Sequence, residues 1–303
     1  MTTTEIRAHA DRLHRDRVPY VLATVVRAER PTSAKPGDSA LVLPDGSIDG
    51  FVGGVCAEST VRLEGLRLLA SGESELLRVT PSASEAVAPE GVRVVENPCL
   101  SGGTLEIFLE AVIPPVLVRV FGDSPIARAI AQVGTALDLD VQNDVDALRA
   151  VAPDTTAVVV AAHGRDEVPV LRTALDAQVP YIALVASPKR SAAVLAELDA
   201  TDDERARIHA PAGLDIGART PHEIALSIYA EIVSRRPRAS APAEPAGEAH
   251  VAEALDPVCG MTVAVSPASL SLAHKGVDWY FCGSGCREAF RDAPQRYLAS
   301  VGA

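Results

Sequence analysis

Residues 1–113 combine two kinds of hydrophobic pattern. Ile6, Ala10 and Leu13 fall on one face of a helix, whereas residues 20–26 are almost continuously apolar, as in a buried strand. The pattern also predicts a hairpin around Pro-Asp-Gly at 44–46, a helix over 61–70 and a strand over 105–109. This mixture predicts a small α+β domain.

Residues 115–233 have a different rhythm, in which apolar strands alternate with amphipathic helices. The predicted strands cover residues 116–121, 139–141, 157–161 and 181–185. The predicted helices cover residues 125–137, 168–177 and 192–198, and a further helix begins at a capping box formed by Thr220 and Glu223. Such alternation is typical of a parallel sheet wound with helices, the Rossmann-like arrangement.

Residues 234–254 are rich in Arg, Pro, Ala and Glu and lack apolar periodicity, which predicts a solvated linker. Aromatic residues become frequent beyond it, so residues 255–301 are predicted to form a small module, with strands over 270–273 and 277–281 and a helix over 285–292. The predicted fold is therefore α/β: a small α+β N-terminal domain, a Rossmann-like parallel-sheet domain and a small metal-binding-type C-terminal module.

Composition narrows the classes of function. The chain has 303 residues, of which 48% are hydrophobic, and a net charge of −12 that argues against binding to nucleic acid. Its apolar runs are too short to span a bilayer. Because the chain opens with a capped helix pattern and not a signal peptide, we expect a cytoplasmic location and cysteines that act as thiols or ligands.

Cys259, Cys282 and Cys286 concentrate three soft ligands in the tail. Cys282 ends a predicted strand and Cys286 lies one helical turn later, so both thiolates can face one ion. Three thiolates suit Cu(I), or Zn²⁺ with a fourth ligand such as His274. The alternative is that the three cysteines pack as small buried hydrophobic residues.

Two phrases in the tail carry a family resemblance. Asp-Pro-Val-Cys-Gly-Met at 256–261 and Tyr-Phe-Cys-x3-Cys at 280–286 resemble the YHS domain, over residues 255–298 in all. The resemblance implies heavy-metal binding without specifying the metal.

Glycine and cysteine also cluster in the N-terminal domain. Gly53, Gly54, Cys56 and Glu58 lie where a strand leads into a helix, and this arrangement is typical of a backbone cradle for a phosphate-bearing cofactor. Cys99 lies in a second glycine-rich loop, and two such loops in one small domain are expected to converge on a persulfide or cofactor site. Ordinary packing of both loops is the alternative.

Three residues mark candidate loops in the Rossmann-like domain. Gly122 is the one glycine present where a dinucleotide fingerprint would have three, which weakens the case for NAD binding. His163 and Lys189 follow two further strands, at the sheet edge where ligands bind, and are candidates for contacting a phosphate or a pterin. Solvated loop polarity is the alternative for both.

Residues 1–233 resemble the XdhC/CoxI family of maturation factors for molybdenum hydroxylases. The phrases that carry the resemblance lie at 23–26, 50–58, 99–109, 120–131 and 209–223. The chain departs from the family pattern at Val55, where Gly-Gly-Cys is usual, and at 122–124, where Gly-Ala-Gly is usual.

The resemblance implies a chaperone that binds the molybdenum cofactor between its two domains. It implies sulfuration of the cofactor with a cysteine desulfurase, and delivery to a client of the xanthine dehydrogenase or CO dehydrogenase type. A homodimer is left open, and the tail is hypothesised to donate copper to a Mo–Cu hydroxylase. The alternatives are a nucleotide-dependent oxidoreductase and a metal carrier or sensor that acts through the tail.

Overall fold

Residues 2–81, 91–97, 103–144, 151–235 and 251–298 are described by the computed structural model of the chain. The chain forms two units: Met1–Pro114 together with Pro242–Ala303, and Pro115–Ala241. The C-terminal tail thus shares a unit with the N-terminal segment, a grouping that the hydrophobic pattern does not indicate. The domain boundaries drawn from the sequence stay predictions, and most of the expected linker lies outside the described residues.

The N-terminal segment folds around an antiparallel sheet. Its elements are α1 (Thr3–Arg15), β1 (Tyr20–Glu29), β2 (Ser39–Val42), β3 (Ile48–Gly50), α2 (Val55–Ser71), β4 (Glu75–Thr80), β5 (Val92–Glu96) and β6 (Thr104–Val112). The strand order is β3-β2-β1-β6-β4-β5. Among the described strands of this sheet, the β4–β5 pair alone is parallel. The predicted helices, hairpin and strands are confirmed, whereas β4 and β5 were not predicted.

The two faces of this sheet bury different helices. Ile6 of α1 packs with Tyr20 and Leu41 on one face. Val21 packs with Val61 of α2 on the other, because successive side chains of a strand point to opposite faces. The sheet is therefore enclosed by α1 and α2, and β3 leads directly into the glycine-rich loop before α2.

The second unit is a parallel sheet with helical crossovers. Its elements are β7 (Leu117–Phe121), α3 (Pro125–Ala136), β8 (Asp140–Asp144), β9 (Thr155–Val160), α4 (Glu167–Asp176), β10 (Tyr181–Leu184), α5 (Pro188–Glu197), α6 (Asp202–Ala206), β11 (Ile208–His209) and α7 (Pro221–Arg235). The strand order is β11-β10-β9-β7-β8, so the order reverses between β7 and β9. The Rossmann-like arrangement is confirmed, although α5 begins four residues before its predicted start and β11 was not predicted.

The start of α7 follows the predicted capping chemistry. Thr220 Oγ1 accepts a hydrogen bond from the Glu223 backbone N–H at 3.3 Å, and Glu223 Oε2 accepts one from the Thr220 N–H at 2.8 Å. These reciprocal bonds satisfy N–H groups that the first helical turn leaves without a partner in the helix.

The tail is a compact module built on one aromatic side chain. It contains β12 (Glu253–Leu255), β13 (Thr262–Ala264), β14 (Leu270–His274), β15 (Val277–Phe281), α8 (Ser284–Asp292) and α9 (Pro294–Leu298). The predicted β14–β15 hairpin is confirmed. Phe290 of α8 is 0% exposed, and the rings around it at 5.4–6.5 Å are those of His274, Trp279, Phe281 and Tyr297.

The tail docks on α2 and on the β2–β3 turn. Arg67 of α2 binds Glu253 at 2.7 Å and Glu64 at 2.9 Å. The Ala268 N–H donates to the Asp45 carbonyl at 3.4 Å. These contacts hold the tail against α2 and the β2–β3 turn.

Candidate metal centre and cofactor loops

The three tail cysteines meet in one cluster. Cys259 lies in the turn between β12 and β13, Cys282 directly follows β15, and Cys286 lies in the first turn of α8. Cys282 Sγ is 3.6 Å from both Cys259 Sγ and Cys286 Sγ. Four thiolates bound to one ion at Zn–S distances of about 2.3 Å would lie about 3.8 Å apart, so the observed spacing fits ligands of a single ion.

Asp256 is the fourth member of the cluster that the side-chain geometry defines. One oxygen of its carboxylate and the three cysteine sulfur atoms all lie within 4.8 Å of one another. Its Oδ1 accepts the Val258 N–H at 2.9 Å and its Oδ2 accepts the Cys282 N–H at 2.8 Å. The buried carboxylate therefore fixes the loops that carry Cys259 and Cys282. Asp256 was not among the metal ligands predicted from the sequence.

His274 does not join this cluster, contrary to its suggested role as a fourth zinc ligand. Its ring packs edge-on against Phe290, with centroids 5.8 Å apart. The reason is the alternation of β14, which directs His274 into the aromatic core of the tail.

The three thiols differ in acidity. The hydrogen bond with Cys282 lowers the pKa of Cys259. Hydrogen bonds to Cys259 and Cys56 raise the pKa of Cys282, and burial raises the pKa of Cys286 to about 12. Since only deprotonated thiols bind metals, occupation by a cation would release protons from the cluster.

Cys56 lies against the tail thiols. It packs with Met261, Val263 and Cys282, and its thiol hydrogen-bonds to Cys282. The expected convergence of Cys56 with Cys99 is not tested, because Cys99 lies outside the described residues. The nearest cysteine partner that the structure places beside Cys56 comes from the tail instead.

The glycines before α2 have separate roles. Gly53 has φ +141°, a backbone conformation that strains any other residue, and a Cβ there would also lie 3.0 Å from Ala57 Cβ and 3.1 Å from Leu105 Cδ1. Gly54 is the N-cap of α2 and has open space around its Cα, which leaves room for a ligand. Glu58 is half-buried in α2, and desolvation raises the pKa of its carboxyl.

The Gly122 loop is filled by the protein itself. Gly122 has φ +124° and lies directly on the backbone of Ala161, so its lack of a side chain serves close strand packing. Asp123 binds Arg165 at 2.6 Å, an ion pair between the loops after β7 and β9 where the strand order reverses. Asp144 binds Arg119 at 2.6 Å. Both carboxylates that a nucleotide would approach are thus engaged by arginines.

A cavity of about 630 Å³ lies at the carboxyl edge of the same sheet. Its polar lining includes His163, Ser187, Arg190 and Asp215, and its apolar lining comes from residues of α3, α7 and the loop before α7. His163, in the loop after β9, adopts a left-handed backbone conformation with φ +50°. Among the candidates from the sequence, His163 lines the cavity, whereas Gly122 and the exposed Lys189 are not among its lining residues.

One buried carboxylate, that of Glu231, is hydrogen-bonded to Gly213 in the lining of this cavity. Glu231 of α7 accepts hydrogen bonds from the Tyr181 hydroxyl at 2.8 Å and the Gly213 N–H at 3.0 Å, and it lies 3.0 Å from His209 Nδ1. His209 stacks on Tyr181 with ring centroids 4.6 Å apart. This network ties the loop before α7 to β10 and β11.

Family models match most of the chain. A model of the XdhC and CoxI family matches residues 13–80, and a model of the XdhC Rossmann domain matches residues 118–232. The chain belongs to the XdhC and CoxI family. A YHS domain model matches residues 254–301, so both resemblances inferred from the sequence are confirmed. Of the helices in the described part of this XdhC/CoxI chain, none has the length and apolarity to cross a membrane.

Curated relatives include two proteins of Escherichia coli (strain K12). The chain is 27% identical to the uncharacterized protein YqeB, over 89% of this chain and 53% of YqeB, so it spans about half of that relative. It is 28% identical to the molybdenum cofactor insertion chaperone PaoD, over 71% of this chain and 83% of PaoD.

Two further similarities are more restricted. The chain is 44% identical to a copper-transporting P-type ATPase of Rhizobium leguminosarum bv. viciae, over 15% of this chain and 5% of the ATPase. A solved structure described as a xanthine dehydrogenase from Bacillus halodurans aligns at 17% identity and a TM-score of 0.36, covering 80% of this chain and 98% of that one.

Proposed function

We propose that this chain is a maturation factor that binds the molybdenum cofactor and inserts it into a molybdenum hydroxylase of the xanthine dehydrogenase or CO dehydrogenase type. The observation that carries the proposal is the similarity to the insertion chaperone PaoD over 71% of the chain. The cavity of the XdhC Rossmann domain supports it, because this cavity has polar groups at the edge of the sheet where Rossmann folds bind ligands.

The lining of this cavity suits a pterin that carries a phosphate. Its volume of about 630 Å³ lies within the usual range for small-molecule sites. Arg190 bonds to Glu167 through one amino group at 2.6 Å, and a guanidinium has further N–H donors with which to bind a phosphate. His163 and Ser187 offer hydrogen bonds to the edge of a pterin ring.

The alternative of a nucleotide-dependent oxidoreductase has less support. A dinucleotide would place its pyrophosphate at the start of α3 and a ribose beside the end of β8. Ser124 accepts the Ala127 N–H at 3.1 Å there, and Asp123 presents a carboxylate where a phosphate would lie. These groups oppose the approach of a second anion.

In this proposal the chain holds the cofactor in the cytoplasm while a cysteine desulfurase sulfurates it. The chain itself then requires no catalytic residue. Gly54, at the start of α2, is a proposed contact for the sulfur donor, and Cys99 and Glu58 are further candidates. A pull-down of the desulfurase and of the hydroxylase by the tagged chain tests these two partners.

The test of cofactor binding uses the full chain produced with molybdenum cofactor supplied. We expect pterin and molybdenum to copurify with the wild type, and to be lost when Ala218→Phe fills the cavity or His163→Asn removes the imidazole from its lining. Asparagine is chosen because it tolerates the left-handed backbone at this position. Lys189→Ala is the matched control, since Lys189 adjoins the cavity in sequence without lining it.

We also propose that the YHS tail binds a thiophilic cation, Cu(I) or Zn²⁺. The spacing of 3.6 Å from Cys282 Sγ to both Cys259 Sγ and Cys286 Sγ supports this second function, as does the similarity to part of a copper-transporting ATPase. Copper carried there would serve a Mo–Cu hydroxylase of the CO dehydrogenase type. Metal content per chain, measured against a variant with all three cysteines changed to serine, tests the site. Equal metal in the two proteins would contradict it.

A further inference from the structure

We infer that Cys56 of the N-terminal domain is the fourth ligand of the tail site, so that a single Zn²⁺ is bound by four thiolates from both segments of the first unit. The inference rests on the proposed metal binding by the tail. It adds a ligand from outside the YHS domain and thereby makes the ion a clamp between this domain and α2.

Cys282 is the shared partner of the other thiols in the cluster. Its sulfur contacts three others: it lies 3.6 Å from Cys259 Sγ, 3.6 Å from Cys286 Sγ, and is hydrogen-bonded to the Cys56 thiol. Asp256, the other candidate for a fourth ligand, uses both carboxylate oxygens to accept hydrogen bonds from backbone N–H groups. Cys56 lies outside the group of four ligand atoms within 4.8 Å of one another and packs against it beside Cys282, so its thiol would move toward the ion on binding. A thiolate, unlike a carboxylate already held by two N–H groups, then completes a tetrahedral site of four sulfurs.

The tail and α2 also pack closely against each other beside the cysteines. Gly283, which follows Cys282, is buried beneath Val55 of α2, and a Cβ on Gly283 would lie 2.9 Å from Val55 Cγ1. The φ of Gly283 is −166°, so space and not backbone strain requires glycine there. The Arg67–Glu253 ion pair at 2.7 Å fixes the same interface further along α2. Cys56 is thus held beside the tail thiols by contacts that need no ion.

The electrostatic environment of the cluster also suits a group of thiolates. Cys56 lies in the first turn of α2, a helix of 17 residues, and Cys286 lies in the first turn of α8, a helix of 9 residues. Both helices have glycine at the N-cap, Gly54 and Gly283, which offers no side chain to accept the first N–H groups. Two positive helix ends therefore converge on the sulfurs. Four thiolates around a dication leave a net negative charge that these helix ends offset.

The closing experiment counts sulfur ligands in the Zn²⁺-loaded full-length protein by X-ray absorption. We expect four sulfurs in the wild type and three in Cys56→Ser, with an affinity for Zn²⁺ at least about 100-fold weaker, because residues that merely surround a ligand already change affinity by about 10–100-fold. Cys99→Ser is the matched control and is expected to keep all four. If Cys99→Ser loses the sulfur instead, the assignment to Cys56 is overturned.

A measurement on the wild type avoids the chance that a variant does not fold. Alkylation of the native protein, read by mass spectrometry, is expected to show Zn²⁺ protecting Cys56 together with Cys259, Cys282 and Cys286. Protection of the three tail cysteines alone would overturn the role of Cys56 and leave the tail site standing. The absence of any Zn²⁺-dependent protection, together with no bound Zn²⁺, would overturn both proposals.

Discussion

Replacing Phe290 by alanine is expected to unfold the tail while the rest of the chain stays folded. Phe290 is 0% exposed and is the common contact of His274, Trp279, Phe281 and Tyr297. Removing a buried phenylalanine costs about 3–5 kcal/mol. A module below about 70–80 residues rarely has more than about 3–5 kcal/mol from its own core, so the loss equals its whole stability.

The assay for this prediction uses intrinsic fluorescence, because Trp279 is the single tryptophan among the 303 residues and lies 5.5 Å from Phe290, centroid to centroid. In the presence of a chelator, Phe290→Ala is expected to shift the tryptophan emission to the red at 25 °C, while far-UV circular dichroism keeps most of its wild-type intensity. Phe108→Ala, at a side chain that is 41% exposed in β6, is the matched control and is expected to leave the emission unchanged.

Metal binding gives this experiment a second arm. An ion that binds only the folded tail at 100 times its dissociation constant adds about 2.7 kcal/mol, so Zn²⁺ is expected to restore much of the wild-type emission. An unshifted emission in Phe290→Ala without metal would refute the account of the tail core. A shifted emission that Zn²⁺ fails to restore would refute the coupling between the tail fold and the cysteine cluster.

Three further outcomes are expected for the second unit. Gly122→Ala should destabilise it by at least about 2 kcal/mol in denaturant titrations, because the new Cβ meets the backbone at the end of β9 at φ +124°. NADH should show no saturable fluorescence change with the full chain, because the Asp123–Arg165 ion pair bridges the crevice where a pyrophosphate would lie. Thermal stability of this unit should fall as the pH drops below about 6.5, because burial lowers the pKa of His209 in the folded protein. It should fall further below about 4.5, because the pKa of Glu231 is also lowered. Burial alone would raise the pKa of Glu231, but the hydrogen bond from Tyr181 and the charge of His209 lower it.

The sign of this pH dependence follows from proton binding. Both native pKa values lie below those of the unfolded chain, so the unfolded chain binds more protons in acid and gains stability relative to the native state. A melting temperature that rises on acidification from pH 7 to pH 5 would contradict the network around Glu231. A Gly122→Ala protein with wild-type stability would show that the loop relaxes around the new side chain. Saturable NADH binding would favour the alternative of a nucleotide-dependent oxidoreductase.

Local chemistry predicted much of the fold. The capping box at Thr220, the turn at Pro-Asp-Gly 44–46 and the alternating strands and helices of the Rossmann half are short-range signals, and the structure contains each of them. β4 and β5 were missed because charged residues interrupt their apolar pattern, which hides the burial of Leu77 and Val79 on one face.

The candidate sites were harder to predict, because they depend on contacts between distant parts of the chain. Spacing alone brought the three tail cysteines together, but it gave no indication that Cys56 would meet them from a helix of the N-terminal domain. The same limit applies to Gly122, whose neighbour Ala161 is set by strand order and not by the residues beside it in sequence. Val55, a departure from the family pattern, becomes intelligible only as the side chain that covers Gly283 of the tail.

We propose above all that this chain carries the molybdenum cofactor. The most direct test is to purify the full-length protein from cells that make the cofactor and to measure molybdenum and pterin per chain. The account predicts near-stoichiometric pterin in the wild type and its loss in Ala218→Phe. Wild-type protein that folds, retains its cavity and contains no pterin under these conditions would contradict it.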